Sequence, residues 1–237
     1  MDSAATINGA CEKLGPGDIL LLEGQMAGPM KKDGTDVGLI PMEWWPDNLA
    51  VIRKAVAKGI IVVEAAGNGY QNLDDPVYET YPAFGSSWKN PLNPNNPSSG
   101  AIIVGAGNPP PRTHGRDWGA DRSICDYSNY GSRVDCQGWG REVTTTGYGD
   151  LQGGTVDTMY TDKFNGTSSA SPVVVGALAV LQGILKAAKR PLLTPSRALQ
   201  LLRDTGSPQQ DGQHGPKTRR IGNRPDLRKL IPLVVGR

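Results

Sequence analysis

Hydrophobic positions along the chain switch repeatedly between two periods. Ala4, Ile7, Cys11 and Leu14 recur at helical spacing and predict a helix over Ser3–Leu14. Gly15-Pro16-Gly17 ends it, and Ile19–Leu22 is an apolar run of strand length. Leu49, Ile52 and Val56 share one face of a second helix, Pro46–Ala57. Ile60–Val63 follows directly. Four β-branched residues without polar alternation predict a strand buried on both faces. Ala101–Val104 is a further short strand, Ser168–Ala188 a long apolar helix. Thr194–Asp204 is an amphipathic helix capped by Thr194 or Ser196, with Ala198, Leu201 and Leu202 inward. Strands alternating with helices predict an α/β domain: a mostly parallel sheet between two helical layers. Glycine (31) and proline (19) concentrate in the connections, chiefly Tyr81–Gly100 and Gly105–Gly119.

Composition narrows the class. The 237 residues suffice for one core, and 38% hydrophobic with 20% charged residues is the balance of a folded chain rather than a disordered one. A net charge of +2 gives no strong attraction to nucleic acid. Lys217, Arg219, Arg220, Arg224, Arg228 and Lys229 cluster among prolines and glycines without aromatic partners, which predicts a solvated tail region. No apolar run is expected to span a membrane, and Met1-Asp2-Ser3 lacks the basic start of a secretory signal. Cys11, Cys125 and Cys136 cannot all pair. Their spacing does not suit zinc, so free buried thiols are expected, with a Cys125–Cys136 bridge as the alternative.

Two segments carry candidate chemistry. In Gly166-Thr167-Ser168-Ser169-Ala170-Ser171-Pro172, a glycine turn and small residues open the long apolar helix, with Pro172 placed in its first turn. Ser168 is then a nucleophile at the positive end of a helix dipole, beside N–H groups that lack helical partners. A plain helix cap is the competing reading. The second segment, Ala65-Ala66-Gly67-Asn68-Gly69, ends the β-branched strand with small residues and an amide that can donate to an oxyanion. An Asn-Gly turn is its competing reading.

Together, Val63–Gly69 and Asn165–Gly176 resemble the oxyanion-asparagine and nucleophile regions of the subtilisin-like serine peptidases, the subtilases. Ser99–Ala106 resembles the family's next core strand, and Asp126-Tyr127-Ser128-Asn129-Tyr130-Gly131 to Asp135 its Phe-Ser-Asn segment. Gly17–Gly24 resembles the strand that lies against substrate. The resemblance runs from Ser3 to Ile231. It implies a three-layer subtilisin-like fold with its N-terminal part missing, so that 1–237 is one incomplete peptidase domain. It also implies an acyl-enzyme on Ser168, Asn68 in the oxyanion hole, and a peptide or protein substrate lying along Leu22, Glu23, Gly24, Ala65, Ala66 and Gly67. Calcium is common in the family, but no dense carboxylate loop marks a site here, and no other cofactor is implied.

In the family, the Asp-Thr/Ser-Gly and His-Gly-Thr motifs precede the region that this sequence resembles. His114 and His214 stand in Pro/Gly-rich or polar segments and read as solvated loop residues. Serine needs a positioned base. The resemblance therefore places the Asp and His on an upstream segment. Two alternatives remain: a peptide-binding pseudoenzyme, and a serine esterase with another base. Trp44 and Trp45, in a predicted surface loop over Gly28–Trp45, line a cleft or cover the sheet edge. The long Tyr70–Gly100 loop is a candidate for the rim of the substrate pocket.

Overall fold

A computed structural model of the protein describes residues 2–32, 35–36 and 38–236. Helix α1 (Ser3–Lys13) is capped by Asp2, whose carboxylate accepts from the Ala5 N–H. Four parallel strands form the central sheet: β1 (Ile19–Leu22), then β6 (Ile61–Ala65), β7 (Ile102–Gly107) and β8 (Cys136–Trp139), in that spatial order. Leu22 lies opposite Glu64, and Val63 opposite Ile102. The strand of the β-branched run is shifted by a residue or two from the sequence expectation, β7 runs on to Gly107 rather than ending at Val104, and β8 had no counterpart among the predicted strands.

The run's lack of polar alternation has a direct structural cause. Ile60 and Val62 turn toward α1 and α2 (Pro46–Ala57), packing with Ile7, Cys11, Ile52 and Ala55. Ile61 and Val63 turn the other way, against Val174, Leu178, Leu181 and Leu185 of α3 (Thr167–Ala187). Helix α3 crosses all four strands. Helices α4 (Pro195–Asp204) and α5 (Leu227–Val235) pack on the same side, giving three layers. Thr194 caps α4, accepting from the Arg197 N–H. An 18-residue window of α3 has a mean hydropathy of 1.7, so by length and composition this helix does reach the membrane-spanning range. Here its apolar face is spent on the sheet.

Three expectations are corrected, and the expectation of free buried cysteines holds. The Gly28–Trp45 segment is not a plain surface loop; residues 33, 34 and 37 lie outside the described set. It contains β5 (Leu39–Ile40), which pairs with β2 (Met26–Ala27) just before the segment, and the short pair β3 (Lys31–Lys32) and β4 (Thr35–Asp36). Trp44 lines no cleft: it is fully buried against Trp45, Tyr78, Tyr81, Phe84 and Trp88. The basic C-terminal segment is packed in part: Arg219, Arg220 and Arg224 are half-buried, while Lys217, Arg228 and Lys229 are exposed. Arg224 pairs with Asp121 and donates to the Asn108 carbonyl, while Arg219 lies over the rings of Tyr70 and Tyr130. All three cysteines are free and buried, which removes the bridge. Burial pushes the Cys125 thiol up to about 11.

Candidate active site

Because the strands are parallel, their carboxyl ends open on one side of the sheet. There the residues after β1 (Glu23, Gly24 and Gln25) and after β6 (Ala66, Gly67 and Asn68) meet the start of α3. Gly166 is the helix cap, at φ 111°, a conformation that side chains disfavour. A methyl group there would lie 3.0 Å from Ser168 Oγ and 3.4 Å from Asn68 Nδ2. The two predicted groups therefore flank one point, and only glycine leaves it open.

The Asn68 amide is oriented by chemistry rather than by assumption. Thr167 N–H donates to Asn68 Oδ1 at 2.8 Å, and Thr167 Oγ1 does so at 2.9 Å. A backbone N–H can only donate, so this face of the amide must be its carbonyl. The Nδ2 donors then face the Ser168 side. Thr167 Oγ1 also accepts from Gly67 N–H at 3.1 Å, and Gln25 Oε1 accepts from Asn68 N–H at 2.8 Å. The strand end and helix start are thus tied by neutral hydrogen bonds on both flanks of Asn68.

Asn129 fixes the next layer. It is fully buried and donates to the carbonyls of Leu39 and Ala66 while accepting from Gln71 N–H at 2.7 Å. The Ser-Asn pair was visible in sequence only as part of the family-like segment, and its clamping role had no signal of its own. Tyr127 also holds the turn, its hydroxyl accepting from Gly166 N–H at 3.0 Å.

Helix α3 starts at Thr167, so Pro172 lies in the second turn rather than the first. It cannot donate to the Ser168 carbonyl, which loses its regular helical partner. Ser169 Oγ, by contrast, donates back to Gly166 or Trp139 carbonyls, both at 2.9 Å, and is not free for chemistry.

Two cavities flank the β1 end. One, of about 480 Å³, is lined by Glu23, Thr144, Thr146, Phe164, Ser169 and Val173. The hairpin β9 (Val143–Thr146) and β10 (Tyr160–Phe164), which sequence reasoning did not resolve, supplies its outer wall. The other, of about 330 Å³, is apolar, with Ile7, Leu21, Leu22 and Met42 around Gly24. Glu23 borders both, and partial dehydration raises its carboxyl above the ordinary range.

The histidines lie elsewhere. His114 Nε2 sits 3.3 Å from Thr144 Oγ1 and its Nδ1 3.9 Å from Asp162, so it is tethered rather than fully solvated. His214 contacts Gln213, and its carbonyl accepts from Tyr70 and Arg219. Neither imidazole hydrogen-bonds Ser168 among the described residues. Nor do three His, Cys, Asp or Glu side chains gather there as a metal site would require.

A parallel sheet between helical layers, with a serine at a helix start and an amide donor at the adjacent strand end, is the build of an α/β serine hydrolase. The chain belongs to the subtilase family (peptidase S8), whose profile matches residues 35–223. It is 30% identical over 172 residues to an intracellular serine protease of Paenibacillus polymyxa, covering 70% of this chain and 43% of that protein. Against an extracellular protease of Xanthomonas campestris pv. campestris it is 29% identical over 157 residues, covering 65% of this chain and 21% of the relative. The chain thus spans less than half the length of either relative. In fold it is similar to the self-cleaved protease domain of PatA, with a TM-score of 0.59 at 19% identity over 98% of this chain and 67% of that one. The prenylagaramide maturation protease PagA gives a TM-score of 0.61 at 15% identity, covering 98% and 66%.

Proposed function

We propose that the chain carries the nucleophile half of a serine endopeptidase that cleaves peptide bonds through an acyl-enzyme on Ser168. The observation that carries this reading is the orientation of Asn68: its carbonyl is held by Thr167, leaving Nδ2 beside the same point as Ser168 Oγ. When Ser168 Oγ attacks a carbonyl carbon, the new oxyanion would be met by Asn68 Nδ2 and the Ser168 N–H at the helix start. These donors are fixed before the reaction, so stabilising the charge requires little reorganisation. Extended substrate would lie along Leu22, Glu23 and Gly24 on one side and Ala65, Ala66 and Gly67 on the other.

The proton of Ser168 needs a base, which an Asp- and His-bearing segment would supply. Two surfaces support docking of that segment here. The outer edge of β1 has no strand partner among the described residues. Further along, helix α3 turns Val180, together with Gly176, Ala179 and Gly183, toward solvent. An apolar stripe of small residues beside an open strand edge suits a strand-plus-helix neighbour.

The test is covalent labelling by a fluorophosphonate probe, with the chain joined to an upstream Asp/His segment. Labelling should be lost in Ser168→Ala, and turnover of a peptide substrate should fall about 10²–10³-fold in Asn68→Ala. Labelling that survives Ser168→Ala would overturn the assignment. A joined protein that binds peptide but neither labels nor cleaves would establish the pseudoenzyme alternative.

A further inference from the structure

We infer that Glu23 makes the 480 Å³ cavity against the first two turns of α3 a recognition site for a lysine or arginine side chain of the substrate, an inference that rests on the peptidase reading above. Glu23 is the single ionisable group in that lining; the remainder is Val143, Phe164, Pro172, Val173, Ser169 and threonines. No ion pair engages Glu23 among the described residues, whereas Asp121, Asp135, Glu142 and Asp162 all have arginine partners.

The walls suit the two parts of a long basic side chain. Phe164, Val143 and Val173 offer apolar surface to its methylene stem, and the cation would end at the carboxylate. The Phe164 ring adds a face for a guanidinium, and the Thr146 hydroxyl can accept from one of its remaining N–H donors. Ser169 matters by its size. It follows the nucleophile directly and lines the cavity with its hydroxyl turned back to the main chain. The 330 Å³ cavity on the other side of Glu23 is mainly apolar, the hydroxyls of its Ser3 and Thr6 donating to Asn48 and to the Asp2 carbonyl, and it suits a neutral side chain. Partial dehydration of the carboxyl, in a wall without a countercharge, is what an arriving cation would relieve.

The experiment uses the full chain carrying Ser168→Ala, so that bound peptide is not turned over. Alanine-based octapeptides with one arginine or its neutral isostere citrulline, walked along the peptide, are titrated calorimetrically. At one position arginine should bind about tenfold more tightly than citrulline, and Glu23→Gln should bring that ratio close to one. A lysine/norleucine pair measured without the Glu23 change supplies the same comparison should the variant fold poorly. Ratios near one at every position, or an arginine preference that persists in Glu23→Gln, would overturn the inference. The fluorophosphonate experiment separates this from the peptidase reading. An arginine preference without Ser168 labelling leaves the cavity assignment standing and removes catalysis, while labelling without a preference does the reverse.

Discussion

Strand β6 serves two buried polar regions that differ in kind. Past its end, Asn68, Thr167, Gly67, Gln25 and Asn129 form a neutral hydrogen-bonded network that leaves the Asn68 Nδ2 donors turned toward Ser168. Within the strand, Glu64 enters a charged cluster with Glu43, Arg133 and Asp135. Glu64 Oε1 accepts from Glu43 N–H at 2.9 Å; Arg133 bonds Asp135 at 2.6 Å and lies 3.2 Å from Glu43 Oε1. Arg203 joins Asp135, and Ser99 joins Glu43. Here Glu64 Oε2, Arg133 Nε and Glu43 Oε1 lack a hydrogen-bond partner. The neutral region holds a geometry at little desolvation cost. The charged region balances large opposing terms, so it is where pH and single substitutions should act most strongly on stability.

The largest expected effect breaks the charged side. Arg133→Met would leave Asp135 and Glu43 buried without their shared cation and should cost about 3–5 kcal/mol, read as a shift of the urea midpoint. A loss below about 1 kcal/mol would mean that water or side-chain rearrangement dissipates the charge. Gly166→Ala strikes the neutral side. Forcing a side chain into φ 111°, 3.0 Å from Ser168 Oγ, should destabilise by about 1–3 kcal/mol and, in the joined enzyme, suppress labelling of Ser168. Retained labelling with an unchanged melt would show that the turn is slack.

A subtler effect separates the two regions by pH. Burial, and then the charge on Glu43, hold the Glu64 carboxyl well above its ordinary range. The folded protein keeps this proton at pH values where the unfolded chain releases it, so stability falls as pH rises above the ordinary glutamate range. Glu64→Gln keeps the acceptor for Glu43 N–H and should flatten that decline, with a melting temperature above that of the parent at pH 8 and close to it at pH 4. An unchanged slope would assign the proton to another group. The smallest expected effect is at the α4 cap: Thr194→Ala, outside both networks, should cost about 1 kcal/mol and leave the pH dependence as it was.

The sequence revealed layers more readily than networks. Ile60–Val63 announced a two-faced strand because both faces meet apolar helices, and Gly166–Pro172 announced a helix start because so few residue types fit a tight turn. The charged cluster was less visible. Glu64 interrupts an apolar run, but its partners lie 21, 69 and 71 positions away, and no local pattern links them. The C-terminal arginines were misread for a related reason: their partners, Asp121 and the rings of Tyr70 and Tyr130, are supplied by distant loops. Pro172 fell one turn further in than expected, because the helix begins directly after its cap at Gly166.

The three buried thiols also make the molecule its own stopwatch. Cys11 lies in the layer of α1 and α2, Cys125 and Cys136 in the layer beneath α3, and none is open to solvent. A thiol reagent can modify each only after its layer opens, so the order of modification under native conditions reads the order in which the layers part. Simultaneous modification of all three would mean that the sandwich opens as one unit, while early reaction at Cys11 alone would show α1 and α2 leaving first.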